Sequence, residues 1–317
     1  MLWLYILIFI ISCVLLIFAG KWLVDALSRI ALVLSLKEFV VAFFIMALGT
    51  SIPNLMIGVV SALNKVPELS FGDVVGANIF DLSIVIGLAT LVSKAGLSCQ
   101  SKTVQGSSVF TIIFALLPLL LVFDGNLSRP DGILLLLSFV IYASWLFSKK
   151  ERFAKTYESA PQNIGIERFV KDVFVIILGI ILLLLGGQGI VSSATFFSQS
   201  FNLSLGLIGM FIVAIGTCLP ETFFSIHAAK KGQDWMILGN LMGSVVITAT
   251  LVLGVIALIQ PIQIDDFSPF AIARVFLFCS AILFFVFLKT DYVITKKEGI
   301  FLIGVYIAFL IVEVLAK

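Results

Sequence analysis

Ten stretches of about twenty apolar residues leave this chain few ways to fold. Their approximate bounds are 2–26, 39–63, 71–93, 104–123, 130–148, 169–198, 203–229, 235–260, 269–288 and 298–316. A helix needs roughly 20 apolar residues to cross a hydrocarbon core about 30 Å thick. Inside lipid, a helix also satisfies its own backbone hydrogen bonds. The expectation is an all-α membrane protein of about ten transmembrane helices. The composition agrees, with 61% apolar and 12% charged residues, where soluble domains average roughly 45–50% and 25%.

Several function classes fall away. A net charge of +2 offers no basic surface to nucleic acid. Cys13, Cys99, Cys218 and Cys279 lie far apart without CxxC spacing, so they read as small apolar fillers. His227 is the one histidine, which leaves little material for zinc chemistry or a Ser-His pair. It reads as a surface residue near the end of the seventh helix. A membrane-embedded enzyme would need a nucleophile with its base, or a metal-ligand cluster, and no such motif is present. The apolar start lacks a basic n-region and a cleavage site, so it reads as a retained first helix.

Charge placement orients the chain. With ten crossings, one side collects most basic residues, from Arg29 and Lys37 through Lys149, Lys150, Arg152 and Lys155 to Lys296 and Lys297. The other side holds Lys65, Arg129, Arg274 and Lys317. The positive-inside rule makes the first side cytoplasmic and puts both termini outside, in a cell (inner) membrane. The polar stretch around 149–168 reads as a cytoplasmic linker between halves at 1–148 and 169–317.

The halves repeat. GTSIPN at 49–54 returns as GTCLPE at 216–221, an offset of 167. The same offset aligns Gly20 with Gly187, Ala47 with Ala214, Gly72 with Gly239, Gly76 with Gly243 and Gly87 with Gly254. Five helices per half is an odd number, so the halves cross the membrane in opposite senses. Inverted repeats of this kind mark secondary transporters, with the substrate site at the repeat interface near the midplane.

The chemistry gathers at those repeats. Pro53 and Pro220 lack an N–H and clash with the carbonyls of Gly49 and Gly216, freeing backbone oxygens that need an occupant in lipid. Thr50 and Asn54 share a helix face, as do Thr217 and Glu221, Ala77 and Asp81, and Ser244 and Thr248. Oxygen donors of these types suit hard cations such as Ca²⁺, Na⁺ or Mg²⁺. Glu221 and Asp81 are ionisable groups deep in the bilayer, costing about 2.5–3.5 kcal/mol each on the translocon scale. Protons compete with metal for such oxygens. Asp73, nearer the start of its helix, reads either as a helix-start residue or as part of the site. Gly72 and Gly76, like Gly239 and Gly243, have the GxxxG spacing that lets helices approach closely.

These segments resemble the alpha-repeats of the sodium/calcium exchanger family, at about 39–93 and 203–260. The family pattern is close to GTSLPE followed by GNxxGSNxxN; here GTSIPN precedes GDVVGANIFD, and GTCLPE precedes GNLMGSVVIT. The resemblance implies helices one and six sliding across a fixed core of two, three, seven and eight. It implies ligands at Ala47 (carbonyl), Thr50, Ser51, Asn54, Ala77 and Asp81. In the second half they fall at Ala214 (carbonyl), Thr217, Cys218, Glu221, Ser244 and Thr248. Asn54 stands where the family usually has glutamate, Asp81 where an amide is common, and Cys218 where serine is usual. Val245 replaces the asparagine of GSN. The function implied is an antiporter moving Ca²⁺ against Na⁺, with H⁺/Ca²⁺ exchange, Mg²⁺ transport and a binding-only fold as alternatives. No covalent cofactor and a monomer in the bilayer are expected. Counting Glu221 and Asp81 as the acidic ligands predicts an exchange ratio nearer two monovalent ions per divalent ion than three.

Overall fold

The structure is a computed structural model that describes residues 1–33, 38–148, 166–264 and 268–315. Most of the 149–168 linker therefore lies outside the described residues.

Ten long helices are seen among the described residues. They are α1 (Leu2–Val33), α2 (Glu38–Leu63), α3 (Glu68–Val92), α4 (Lys102–Asp124) and α5 (Arg129–Ser148) in the first half. The second half has α6 (Ile166–Phe201), α7 (Leu205–Lys230), α8 (Asp234–Ile259), α9 (Ser268–Lys289) and α10 (Lys296–Leu315). Each predicted span falls on one of them. The outer helices carry large exposed apolar side chains, such as Leu4, Leu7 and Ile11 on α1, Ile177 and Leu185 on α6, and Ile300 and Ile307 on α10. That is the surface a lipid solvent requires. By contrast α3 and α8 are buried along nearly their whole length, at the centre of the bundle.

Two short ribbons tie the halves together. β1 (Leu97–Ser98), after α3, pairs antiparallel with β4 (Val293–Ile294), after α9. β2 (Asn126–Leu127), after α4, pairs with β3 (Ile262–Gln263), after α8. Loops can pair only at the same end of the bundle, and each pair is separated by an even number of crossings. Exchanging the halves turns one ribbon into the other at the opposite end. The repeat axis therefore lies in the membrane plane, as inverted repeats demand.

The centre depends on glycine. A Cβ on Gly72 would lie 2.0 Å from the Gly206 carbonyl oxygen, and one on Gly76 would lie 2.1 Å from that of Met210. In return, a Cβ on Gly209 would lie 2.1 Å from the Leu69 carbonyl oxygen. The α3 GxxxG stripe thus seats its backbone directly on α7, while α8 runs along α2. Around this core α1 and α6 pack along each other, with Gly186 against Leu16 and Tyr5 stacked on Phe196 at 4.0 Å. All four cysteines are free.

Alanine normally improves a helix over glycine by about 1 kcal/mol. At Gly76 the backbone contact reverses that sign. Gly76→Ala is expected to destabilise by about 1–3 kcal/mol through overpacking. Gly304→Ala, whose Cβ meets nothing within 4 Å, is expected to be neutral or stabilising. Thermal melting of the detergent-purified variants reads both; unchanged melting of Gly76→Ala would contradict the close approach.

Candidate cation site

Where α2, α3, α7 and α8 cross, polar side chains fill space that apolar residues fill elsewhere. Ser51, Asn54, Asp73, Asn78, Asp81, Thr217, Glu221, Asn240, Ser244 and Thr248 are all buried. The local helix geometry explains how they converge. α3 and α8 each contain a π turn, at Asp81–Val85 and Thr248–Val252, equivalent positions in the two halves. A π turn widens the helix and re-aims its side chains. The equivalent hydroxyls of Ser83 and Thr250 donate to the carbonyls of Ile79 and Val246 beside these turns. In α7 the helix is interrupted at Cys218, just before Pro220, whereas α2 continues through Pro53.

One chain of hydrogen bonds crosses the repeat interface. Ser51 Oγ on α2 donates to Ser244 Oγ on α8 at 3.2 Å, and Ser244 Oγ donates to Glu221 Oε1 on α7 at 3.3 Å. Asp81 on α3 meets the Cys218 thiol and the Ser244 hydroxyl, so the two carboxylates flank one serine. Cys218 Sγ also faces the Ala77 carbonyl at 3.8 Å. Asp81 Oδ1 and Glu221 Oε2 are buried without any hydrogen-bond donor. Two buried carboxyl groups that act on each other repel when both are ionised, unless a proton or a cation offsets the charge.

A second cluster lies beside the first. Asp73 accepts from Asn54 Nδ2 at 3.1 Å and from Thr217 Oγ1 at 2.9 Å, and Thr217 also faces the Ala214 carbonyl at 3.1 Å. Across the bundle, Thr50 Oγ1 faces the Ala47 carbonyl and Asn240 Oδ1, both at 3.3 Å. Thr248 is engaged in the same way as Thr50, by its own helix and by an amide oxygen. It donates within its helix to the Ser244 carbonyl and across to Asn78 Oδ1, each at 2.9 Å.

Every candidate from the sequence therefore sits in or beside this polar centre, and His227 is exposed at the end of α7. Asp73, Asn78 and Asn240 extend it beyond that set. Of the two readings of Asp73, the helix-start one is overturned: α3 begins at Glu68, which puts Asp73 in its second turn and fully buried. The two-carboxylate count behind the two-for-one ratio leaves out this third buried carboxyl group. Among the described residues no three Asp, Glu, His or Cys side chains close on one point as a ready-made metal cage. The donor set is instead mixed, with carboxylates, hydroxyls, amides and helix carbonyls, which hard cations accept.

Two inverted five-helix halves around a buried oxygen-rich centre define a membrane protein with the architecture of secondary transporters. The chain belongs to the sodium/calcium exchanger family: the family model described as "Sodium/calcium exchanger protein" matches residues 4–148 and again 171–315. It is 28% identical to the sodium/calcium exchanger MaX1 of Methanosarcina acetivorans, over 96% of this chain and 97% of that protein. It is 26% identical to the inner membrane protein YrbG of Escherichia coli, over 84% of this chain and 82% of that one. Among solved structures it resembles the sodium-calcium exchanger NCX_Mj soaked with Na⁺ and Sr²⁺, at TM-score 0.66 and 27% identity, covering 98% of this chain and 99% of that one.

The hydrogen bonds separate two serine and threonine roles. Ser244→Ala removes the hydroxyl shared by both carboxylates, and divalent-ion affinity is expected to fall about tenfold, or about 1.4 kcal/mol. Thr248→Val loses a bond to Asn78 and is expected to cost about 1 kcal/mol of stability while changing affinity less than about threefold. Calorimetric titration with Ca²⁺, alongside melting, distinguishes the two; equal affinity losses would refute the assignment.

Proposed function

We propose that this protein exchanges Ca²⁺ for Na⁺ across the cell membrane, by alternating access to the polar centre described above. The observation that carries this reading is the pair of buried, donor-free carboxylate oxygens on Asp81 and Glu221, drawn from opposite halves and flanking Ser244. A buried carboxylate without a partner is costly, and a bound cation supplies the missing charge. Glu221 and Asp81 act as the anionic ligands. Ser51, Ser244, Thr50, Thr217 and Asn54, with the carbonyls of Ala47 and Ala214, supply neutral oxygens. The names of MaX1 and NCX_Mj support Ca²⁺ and Na⁺ as the ion pair.

Alternating access in this reading moves α1 and α6 against the core. Small residues stand at their contacts with it: a Cβ on Gly20 would meet the Gly49 carbonyl oxygen at an ordinary 3.8 Å, and one on Gly216 would lie 3.0 Å from Cys13 Sγ. A crevice where these helices meet the core is lined by Cys13, Pro53, Ile190, Thr217 and Pro220. The protein works as a monomer with both termini outside. The name of YrbG supports an inner-membrane setting.

Purified protein in liposomes loaded with Na⁺ is expected to take up ⁴⁵Ca²⁺ when the Na⁺ gradient points outward. Glu221→Gln and Asp81→Asn are each expected to lower uptake about a hundredfold, the equivalent of about 3 kcal/mol for one lost charge partner. Uptake driven by a pH gradient and indifferent to Na⁺ would replace Na⁺ with H⁺ as the counter-ion. Absence of uptake under both gradients would sink the exchange reading.

A further inference from the structure

The offset of 167 that relates the halves pairs Asn54 with Glu221 and Asp73 with Asn240. Each pair of positions within a half thus holds one carboxylate and one carboxamide, and the two have traded places. In the first half the amide is on α2 and the carboxylate on α3. In the second half the carboxylate is on α7 and the amide on α8.

The geometry follows the trade. Asn54 Nδ2 donates to Asp73 Oδ2 at 3.1 Å, so the amide and the carboxylate of the first half are in direct contact. Thr217, from the other half, donates to Asp73 Oδ1 at 2.9 Å. Its equivalent Thr50 faces Asn240 Oδ1 at 3.3 Å and lies within reach of Glu221. In both halves a threonine from the opposite repeat meets the α3 or α8 residue, whichever polar group stands there.

A purely structural role for Asp73 accounts for less of this. Asn240 occupies the equivalent position, where an amide already meets the threonine, so the contact itself needs no charge. A buried carboxylate is far harder to desolvate than an amide. Asp73 is 0% exposed and no lysine or arginine among the described residues offsets it. Asn54 and Thr217 give it only neutral donors, so an ionised Asp73 at this position requires a cation beside it, which an amide would not.

We propose that Asp73 is a second ion-binding carboxylate of the first repeat, beside Asp81, supplying at the α2–α3 pair the negative charge that Asn54 lacks, so that each such helix pair presents a carboxylate to the transported hard cations. The inference rests on the exchange reading above and adds a residue to it. Asp73 Oδ1 and Oδ2, Asn54 Oδ1, Thr217 Oγ1 and the Ala214 carbonyl are the oxygens available to that cation.

Relocating the charge tests this. Wild type, Asp73→Asn, and the double variant Asn54→Glu with Asp73→Asn are purified and checked for a single elution peak. Each is then titrated calorimetrically with Ca²⁺ and with Na⁺, and assayed for Na⁺-driven Ca²⁺ uptake. Asp73→Asn is expected to bind Ca²⁺ at least about tenfold more weakly, and the double variant to return within about threefold of wild type. Binding by Asp73→Asn within about twofold of wild type overturns the proposal, and so does a double variant no better than the single one. If Asp73→Asn aggregates, the double variant decides alone: binding like wild type supports the proposal and weak binding overturns it. Failure of the exchange reading looks different, as wild type that binds ions with a requirement for Asp73 yet shows no coupled uptake. Wild type that binds neither ion overturns both.

Discussion

Contact between two backbones holds this molecule's function in place. Gly72 and Gly76 of α3 meet the carbonyls of Gly206 and Met210, and Gly209 of α7 meets Leu69. No side chain separates the helices there, so dispersion and close-packed backbone replace the hydrophobic drive that lipid does not supply. The residues next to these glycines are the ones that matter. Asp73 follows Gly72 and reaches Thr217; Ala77 follows Gly76 and turns its carbonyl to Cys218. The spacing that allows the approach thus also sets which polar groups meet across the repeat boundary. A larger residue at either glycine would separate the helices and the oxygens together.

That closeness has an electrostatic consequence. Asp73, Asp81 and Glu221 are buried within one core, and the hydroxyls, thiol, side-chain amide and backbone N–H that hydrogen-bond to them are all neutral. Neutral donors soften the desolvation of a carboxylate but do not balance its charge. A site designed for rigidity alone would use amides, as Asn240 and Asn78 do. Retaining acids where amides suffice makes sense in a protein whose cargo is positive, because an empty site of this kind stays poised to take a cation.

Much of this was legible in the chain itself. Ten apolar spans became ten helices because span length in lipid is set by one dimension, and GTSIPN and GTCLPE became the two crossing points because their prolines and oxygens have few other uses there. The rest lacked a sequence signal. Asp73 looked close to a helix start because the apolar run was read from residue 71, but α3 starts at Glu68, which itself occupies the first turn. The two-residue ribbons are too short to show any alternation. The π turns at Asp81 and Thr248 have no compositional mark, although their identical placement in both halves is a consequence of the repeat.

The halves are similar in sequence, yet one helix pair of the core differs in shape. α7 carries a π turn at Gly209–Val213 and a break at Cys218, while α2 is a continuous α-helix over the equivalent residues. α3 and α8, by contrast, match turn for turn. In an inverted repeat the two halves face opposite sides of the membrane, so a difference between α2 and α7 makes the two approaches to the centre unequal. Pro53 and Pro220 both remove a backbone donor, yet only one helix has opened. Prolines stand at equivalent positions in both helices while the residues around them differ, with Ser51 and Asn54 in α2 against Cys218 and Glu221 in α7. The α3–α8 pair, which matches between the halves, thus sits between two helices that do not.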